Sequence, residues 1–144
     1  MQETKPANIS ATLLKAQWTE ESAQKAVRSW LKLTTSQKAV IDLIAAQDDS
    51  MAIGARKAFQ ELMNESDRDR WLKLPFTGCD GLPKTGQAWV KSGLLAATVY
   101  SPPNTGLAIE ILSQNLQNGK DLPERALVEP SSIPALKDLR PKLG

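Results

Sequence analysis

No histidine occurs anywhere in the 144 residues. That removes the usual general base near neutral pH and the commonest nitrogen ligand of a metal, so histidine-based triads and ordinary metalloenzyme sites are poor readings. A single cysteine, Cys79, excludes an intramolecular disulfide and any cysteine-rich zinc site. An excess of one charge is missing as well: 18 Lys and Arg stand against 16 Asp and Glu, dispersed, with no basic stripe to track a nucleic-acid backbone. Nucleic acid is therefore not an expected partner. No apolar run approaches bilayer-spanning length, and Met1 to Ser10 lacks the hydrophobic region of an export signal. Taken alone this reads as cytosolic, although a trimmed or truncated exported protein has the same features.

What is present suits one domain with one core. The chain is organised around Val40 to Ala55: an apolar run over Val40–Ala46, then Gln47, Asp48 and Asp49, then a helix beginning near Met51 with Asp49 or Ser50 as its cap. This is a strand, loop and helix of a doubly wound sheet. Ligands of such sheets sit outside the carboxyl ends of the strands.

The same alternation recurs along the chain. Met1–Asn8 reads as a lead-in loop and Ile9–Ala16 as a strand. A helix capped near Thr19 follows, with Ala23, Ala26, Val27, Trp30 and Leu31 on one face. The helix from Met51 to Met63 turns Ala52, Ala55, Phe59 and Leu62 to the sheet, and Asn64–Arg70 reads as a charged, solvated connection. Further strands are expected at Leu74–Gly78, Leu94–Val99 and Arg125–Glu129, and helices at Thr85–Ser92 and Leu107–Leu116, the last stopped by Asn118 and Gly119. The expected fold is α/β, a mainly parallel sheet of about five strands with helices on both faces. Residues 1–129 form the lobe, and 130–144 a proline-containing tail.

Trp18, Gln47, Asp48, Asp80 and Ser101 then emerge on one rim. Carboxylates, an amide, a hydroxyl and an indole suit a neutral polyhydroxylated ligand, whose hydroxyls donate to the carboxylates while a C–H face lies on the indole. Each residue also has a plain structural role open to it. Asp49 can be a helix cap, Trp18 a staple against its helix, Asp80 a turn residue before Gly81, and Cys79 a small buried apolar group. It is the convergence of four strand ends that favours a site. No cofactor and no metal are expected.

Three stretches, Ala45–Phe59, Phe76–Gly106 and Leu116–Pro130, resemble the type I periplasmic sugar-binding proteins of ABC importers, of the ribose-binding kind. The middle one is the most specific, with its order of Asp-Gly, small helix, Ala-Thr-Val and Pro-Pro. The resemblance covers about Ile9 to Pro130 and is to the carboxyl-terminal lobe alone. It implies a monosaccharide or polyol ligand, no enzymatic activity, a missing amino-terminal lobe and a membrane permease as partners, and a periplasmic or extracellular location for the full-length protein. Asp48 stands where the family's strand-end Asn binds sugar hydroxyls; an ionised Asp can only accept, so the hydroxyl it meets must donate. Asp80 matches the family's sugar-binding Asp, Ser101 stands where some members carry Gln, and Trp18 is near an aromatic that packs on the sugar. Gln47 and Asp49 flank the site.

One lobe's worth of sequence implies a fragment that holds sugar weakly and self-associates through its uncovered face. Two alternatives share parts of the pattern. A sensor domain of a lactose-repressor-type regulator has the same lobe, and an upstream helix-turn-helix would mark it. A phosphoacceptor receiver also gathers acidic residues at strand ends around Mg²⁺. Here, however, the acidic pair follows the second strand and Glu129 stands where a Lys is needed.

Overall fold

The computed structural model describes residues 9–139. The lead-in loop expected at 1–8 and the end of the tail at 140–144 lie outside the described residues. Helix α1, Glu20–Leu31, starts in a reciprocal cap: Thr19 Oγ1 accepts the Ser22 N–H at 3.1 Å, and Thr19 N–H donates to Ser22 Oγ at 3.3 Å. Glu20 and Glu21 occupy its first turn, where the helix dipole favours anions. A single-turn helix α2, Thr34–Gln37, follows, and the next helix is α3, Asp49–Gln60. The spacing of Ala23 and Val27 buries both against α3, while Trp30 and Leu31 pack at the margin of the same core.

Contact between the two helices is close because Gly54 lacks a side chain; a Cβ there would run into the Glu20 carbonyl. Ion pairs of Glu20 with Lys57 and of Arg28 with Glu61 line the seam. Since Glu20 meets Lys57 and Arg28 meets Glu61, the helices run in the same direction, with the start of α1 beside the second turn of α3.

Four strands form one sheet in the order β1 (Ile44–Ala45), β2 (Phe76–Asp80), β3 (Ala97–Tyr100) and β4 (Ser131–Ile133). The first two pairings are parallel and the third antiparallel. A ladder of rings fills the space between α3 and the sheet. Phe59 stacks on Trp71 at 5.0 Å between centroids, Trp30 meets Trp71 edge-on at 5.4 Å, and Phe76 meets Phe59 at 6.1 Å. Leu95, Ala52, Ala55 and Ala58 complete this core.

Several expectations are corrected. Ile9–Ala16 forms no strand: Leu13 is 90% exposed, and β1, an edge strand, draws its ladder from β2 alone among the described residues. An extended segment without a neighbour has no ladder to join. Arg125–Glu129 is likewise irregular, and the edge strand forms instead at Ser131–Ile133, inside the stretch expected to be a tail. Among the described residues the sheet thus has four strands where about five were expected. The charged connection at 64–70 contains helix α4, Glu65–Leu72, which is capped by the Asn64 side chain on Asp67 N–H at 3.0 Å and anchored by buried Trp71. Helix α5, Gly86–Lys91, lies close to its expected place. So does α6, Thr105–Asn118, which Gly119 ends in the left-handed conformation.

Candidate functional site

Parallel pairing of β2 with β3 sets Asp80 opposite Tyr100, so both strands end together. The Ser101 N–H then donates to the Asp80 carbonyl at 3.3 Å. On the other flank of β2, Ala46 N–H bonds the Thr77 carbonyl at 2.9 Å, and β1 leads through Gln47 into the start of α3. The topology therefore brings Gln47, Asp48, Asp80 and Ser101 to one rim. Gln47, Asp80 and Ser101 are exposed there, whereas Asp48 is 7% exposed.

The helix cap is Asp48, in place of the expected Asp49 or Ser50. Its Oδ1 accepts the Met51 N–H at 2.7 Å, satisfying one of the free donors of the first turn. Its Oδ2 makes no hydrogen bond among the described residues. Asp49 turns inward instead, 2% exposed. Its Oδ2 accepts the Gly81 N–H at 2.8 Å and its Oδ1 the Thr98 hydroxyl at 2.6 Å. Burial raises the Asp49 pKa above the usual carboxylate range against the pull of these two bonds, and the nearby charges of Asp80 and Asp48 push the same way. The Asp80 and Asp48 carboxylates thus both lie within electrostatic reach of Asp49.

Two non-glycine residues among those described have positive φ, Trp18 at 55° and Asp80 at 94°. Both were named from the sequence as candidate ligand contacts. Left-handed backbone is costly for side-chain-bearing residues and tends to persist where surrounding structure imposes it, often at functional sites. Gly81, at φ 60°, follows directly, and a Cβ there would crowd the Tyr100 backbone. Trp18 is 64% exposed and immediately precedes the Thr19 cap, on the side of α1 that extends toward the start of α3. No hydrogen bond or ring contact ties it to Asp48, Asp80 or Ser101 among the described residues.

Sequence reasoning missed the bridging role of Asp49 and its partner Thr98. The available signal was the run of glycines around it: a Cβ on Gly78 or on Gly86 would collide with the Asp49 carboxylate. Hollows elsewhere do not include this rim. One of ≈ 700 Å³ lies beside Asn64, Glu65 and Asp69, and a groove of ≈ 330 Å³ runs along Leu107, Ile111 and Leu122. At the rim Gln47, Asp80 and Ser101 are open to solvent. No group of three or more His, Cys, Asp or Glu able to hold a metal occurs among the described residues.

In a mainly parallel α/β sheet ligands bind outside the carboxyl ends of the strands, which is where this rim lies. The chain belongs to the periplasmic binding protein domain family, whose model matches residues 2–121. It is 34% identical over 108 residues to the D-galactose/methyl-galactoside binding periplasmic protein of Haemophilus influenzae, covering 74% of this chain and 29% of that one. Among solved structures it is similar to an ABC transporter periplasmic solute-binding protein from Actinobacillus succinogenes with bound D-allose. That match has TM-score 0.61 and 27% identity, over 82% of this chain and 38% of the other. The Caulobacter myo-inositol binding protein matches with TM-score 0.60 and 25% identity, over 84% and 38%. The fructose binding periplasmic domain of a hybrid two-component system shares the fold at TM-score 0.65 and 22% identity, over 85% and 37%. The chain spans about a third of the length of these relatives, one lobe's worth of the type I fold. The repressor-type and receiver alternatives are not favoured by them.

Proposed function

We propose that this chain is the carboxyl-terminal lobe of a sugar-binding component of an ABC importer, contributing one wall of a cleft that closes on a monosaccharide or cyclitol. Support comes first from one observation: Asp80, held at φ 94°, shares a rim with Asp48 and Ser101, and the residue that follows it, Gly81, is bonded through its N–H to the buried Asp49 carboxylate. Asp48 through Oδ2 and Asp80 accept ligand hydroxyls, at about 1.5–3 kcal/mol for each charged hydrogen bond. The Ser101 hydroxyl and Gln47 amide add neutral bonds, and the Trp18 indole covers a C–H face of the ring. The relatives' names, galactose, allose and inositol, fit a neutral polyol.

In this proposal the lobe binds and releases its ligand unchanged. The second lobe encloses the sugar, a membrane permease receives it, and the full-length protein works in the periplasm. One wall supplies roughly half the contacts, so the lobe alone binds weakly. The test is a titration of the ¹⁵N-labelled chain with D-galactose, D-allose and myo-inositol, followed by amide and indole resonances. Saturable shifts confined to Trp18, Gln47–Met51, Asp80–Gly81 and Ser101 are expected for at least one of them. Shifts elsewhere, or none, would reject the site, and micromolar or tighter affinity would reject the single-wall account.

A further inference from the structure

Asp49 lies beneath the rim, buried, yet neighbouring parts of the chain are shaped around it. Its carboxylate takes the Gly81 N–H on one oxygen and the Thr98 hydroxyl on the other. Gly78 and Gly86, on β2 and α5, leave the volume it fills. Gly81 itself cannot carry a side chain without meeting Tyr100.

The Asp80–Gly81 turn is backbone with positive φ at two consecutive residues, 94° and 60°. For Asp80 such a conformation persists where the surrounding structure imposes it, and hydrogen bonds to the turn are one means of doing so. The Asp80 carbonyl accepts from Ser101 N–H at 3.3 Å and the Gly81 carbonyl from Gln87 Nε2 at 2.8 Å, both neutral bonds. The Gly81 N–H has the only carboxyl acceptor of the three, and a bond to a carboxylate is of the stronger, charge-assisted kind when that group is ionised.

We propose that Asp49 is the positioning residue of the ligand rim: it clamps the Gly81 N–H and the Thr98 hydroxyl, and so fixes the direction in which the Asp80 carboxylate meets a ligand. This rests on the binding role proposed above. Asp49 acts through Asp80 and touches no ligand. The charged groups facing it are Asp80 from the end of β2 and Asp48 from the start of α3, and Thr98 faces it from β3 as a neutral donor.

An amide at position 49 separates positioning from mere filling of space. In Asp49→Asn the Oδ1 can still accept from Gly81 N–H while Nδ2 donates to Thr98 Oγ1, because a hydroxyl also accepts. In Asp49→Asn/Thr98→Val that second bond has no partner, and in Asp49→Ala both are lost. The readouts are the Gly81 amide resonance across an acid titration and the sugar-induced shift at Asp80 with D-galactose, D-allose and myo-inositol. The proposal expects the Gly81 amide to inflect with the Asp49 carboxyl in the unsubstituted chain and to lose that inflection in Asp49→Asn. It expects Asp49→Asn to keep most of the sugar response, and Asp49→Ala and the double variant to weaken it about tenfold or more, the equivalent of one charged hydrogen bond. Gln87→Ala, which removes a neutral bond to the same turn, should weaken it less. A Gly81 amide indifferent to the titration, or Asp49→Ala with an intact sugar response, would overturn it. Should Asp49→Ala fail to fold, the decision falls to Asp49→Asn against the double variant, where equal responses overturn it. If the unsubstituted chain gives no sugar response while Gly81 tracks Asp49, the binding role fails and Asp49 remains only the clamp of the turn.

Discussion

Asp49 and Thr98 are 49 positions apart, and the Thr98 hydroxyl donates to the Asp49 carboxylate across 2.6 Å in the buried interior. The bond fastens the first turn of α3 to the middle of β3. Thr98→Val keeps the shape of the side chain and removes the donor. It should lower stability by about 1–3 kcal/mol, the cost of leaving a buried acceptor unsatisfied, read as a shift in the urea midpoint. An unchanged midpoint would mean that water replaces the hydroxyl.

Acid stability should show two opposite trends. Burial raises the native pKa of Asp49, so the folded chain holds that proton more tightly than the unfolded one. Its contribution is present in full below the unfolded value and is lost as pH rises through the native value. Asp49→Asn removes this trend, so the unsubstituted chain should gain on the variant as the solution is acidified across that window. Glu61 works the other way: its bond to Arg28 lowers its pKa, and the stability it contributes appears above the unfolded value and is lost as pH falls through the native one. Glu61→Gln should therefore cost little at acid pH and slightly more near neutrality, screened by solvent. Unfolding curves of both variants across the carboxylate range check the signs.

Phe59 lies at the centre of the ring ladder, fully buried between Trp71 and Phe76. Phe59→Ala should destabilise by about 3–5 kcal/mol. That is a large share of the roughly 5–15 kcal/mol typical of a domain, so much of the population should unfold at room temperature, visible in tryptophan fluorescence and calorimetry.

Gly54 and Gly106 both lie within helices and should respond with opposite sign. A methyl group on Gly54 meets the Glu20 carbonyl, so Gly54→Ala should force α1 from α3 and cost about 1–3 kcal/mol. Around Gly106 nothing lies within 4 Å of the added atom, and Gly106→Ala should stabilise α6 by about 0.5–1 kcal/mol. Thermal unfolding followed by circular dichroism compares the pair.

Trp18 and Asp80 offer a separation of binding from folding. Because both have positive φ, Trp18→Gly and Asp80→Gly relieve backbone strain of about 1–2 kcal/mol per residue, offset in part by the entropy of glycine. Neither should lower the melting temperature appreciably, while each should diminish the response to sugar. A fall in stability with sugar binding intact would assign these residues to the fold alone.

The elements legible from sequence are those whose information is local. The faces of α1 and α3 follow from helical spacing of Ala23, Val27, Ala52, Ala55 and Phe59, and all five are buried. The strands at β2 and β3 follow from short apolar runs that end in polar residues. Ile9–Ala16 has the same local character and forms no strand, because pairing depends on a neighbour the segment itself does not contain. Ser131–Ile133 is short and polar, and only its alignment with β3 makes it a strand. Helix α4 was hidden by its charge: Trp71, late in the segment, is its buried anchor. At the rim, Asp49 or Ser50 was the expected cap, whereas Asp48 takes that role and Asp49 turns inward to Thr98, a partner far along the chain that local sequence does not reveal.

Asp48 holds the Met51 N–H on Oδ1, and its Oδ2 has no hydrogen-bond partner among the described residues. Charge drawn to one oxygen of a carboxylate is withdrawn from the other. Under the binding role proposed above, a ligand hydroxyl on Oδ2 would therefore be felt at the Met51 amide, whose resonance should report occupancy from inside the helix without a dye or a tag.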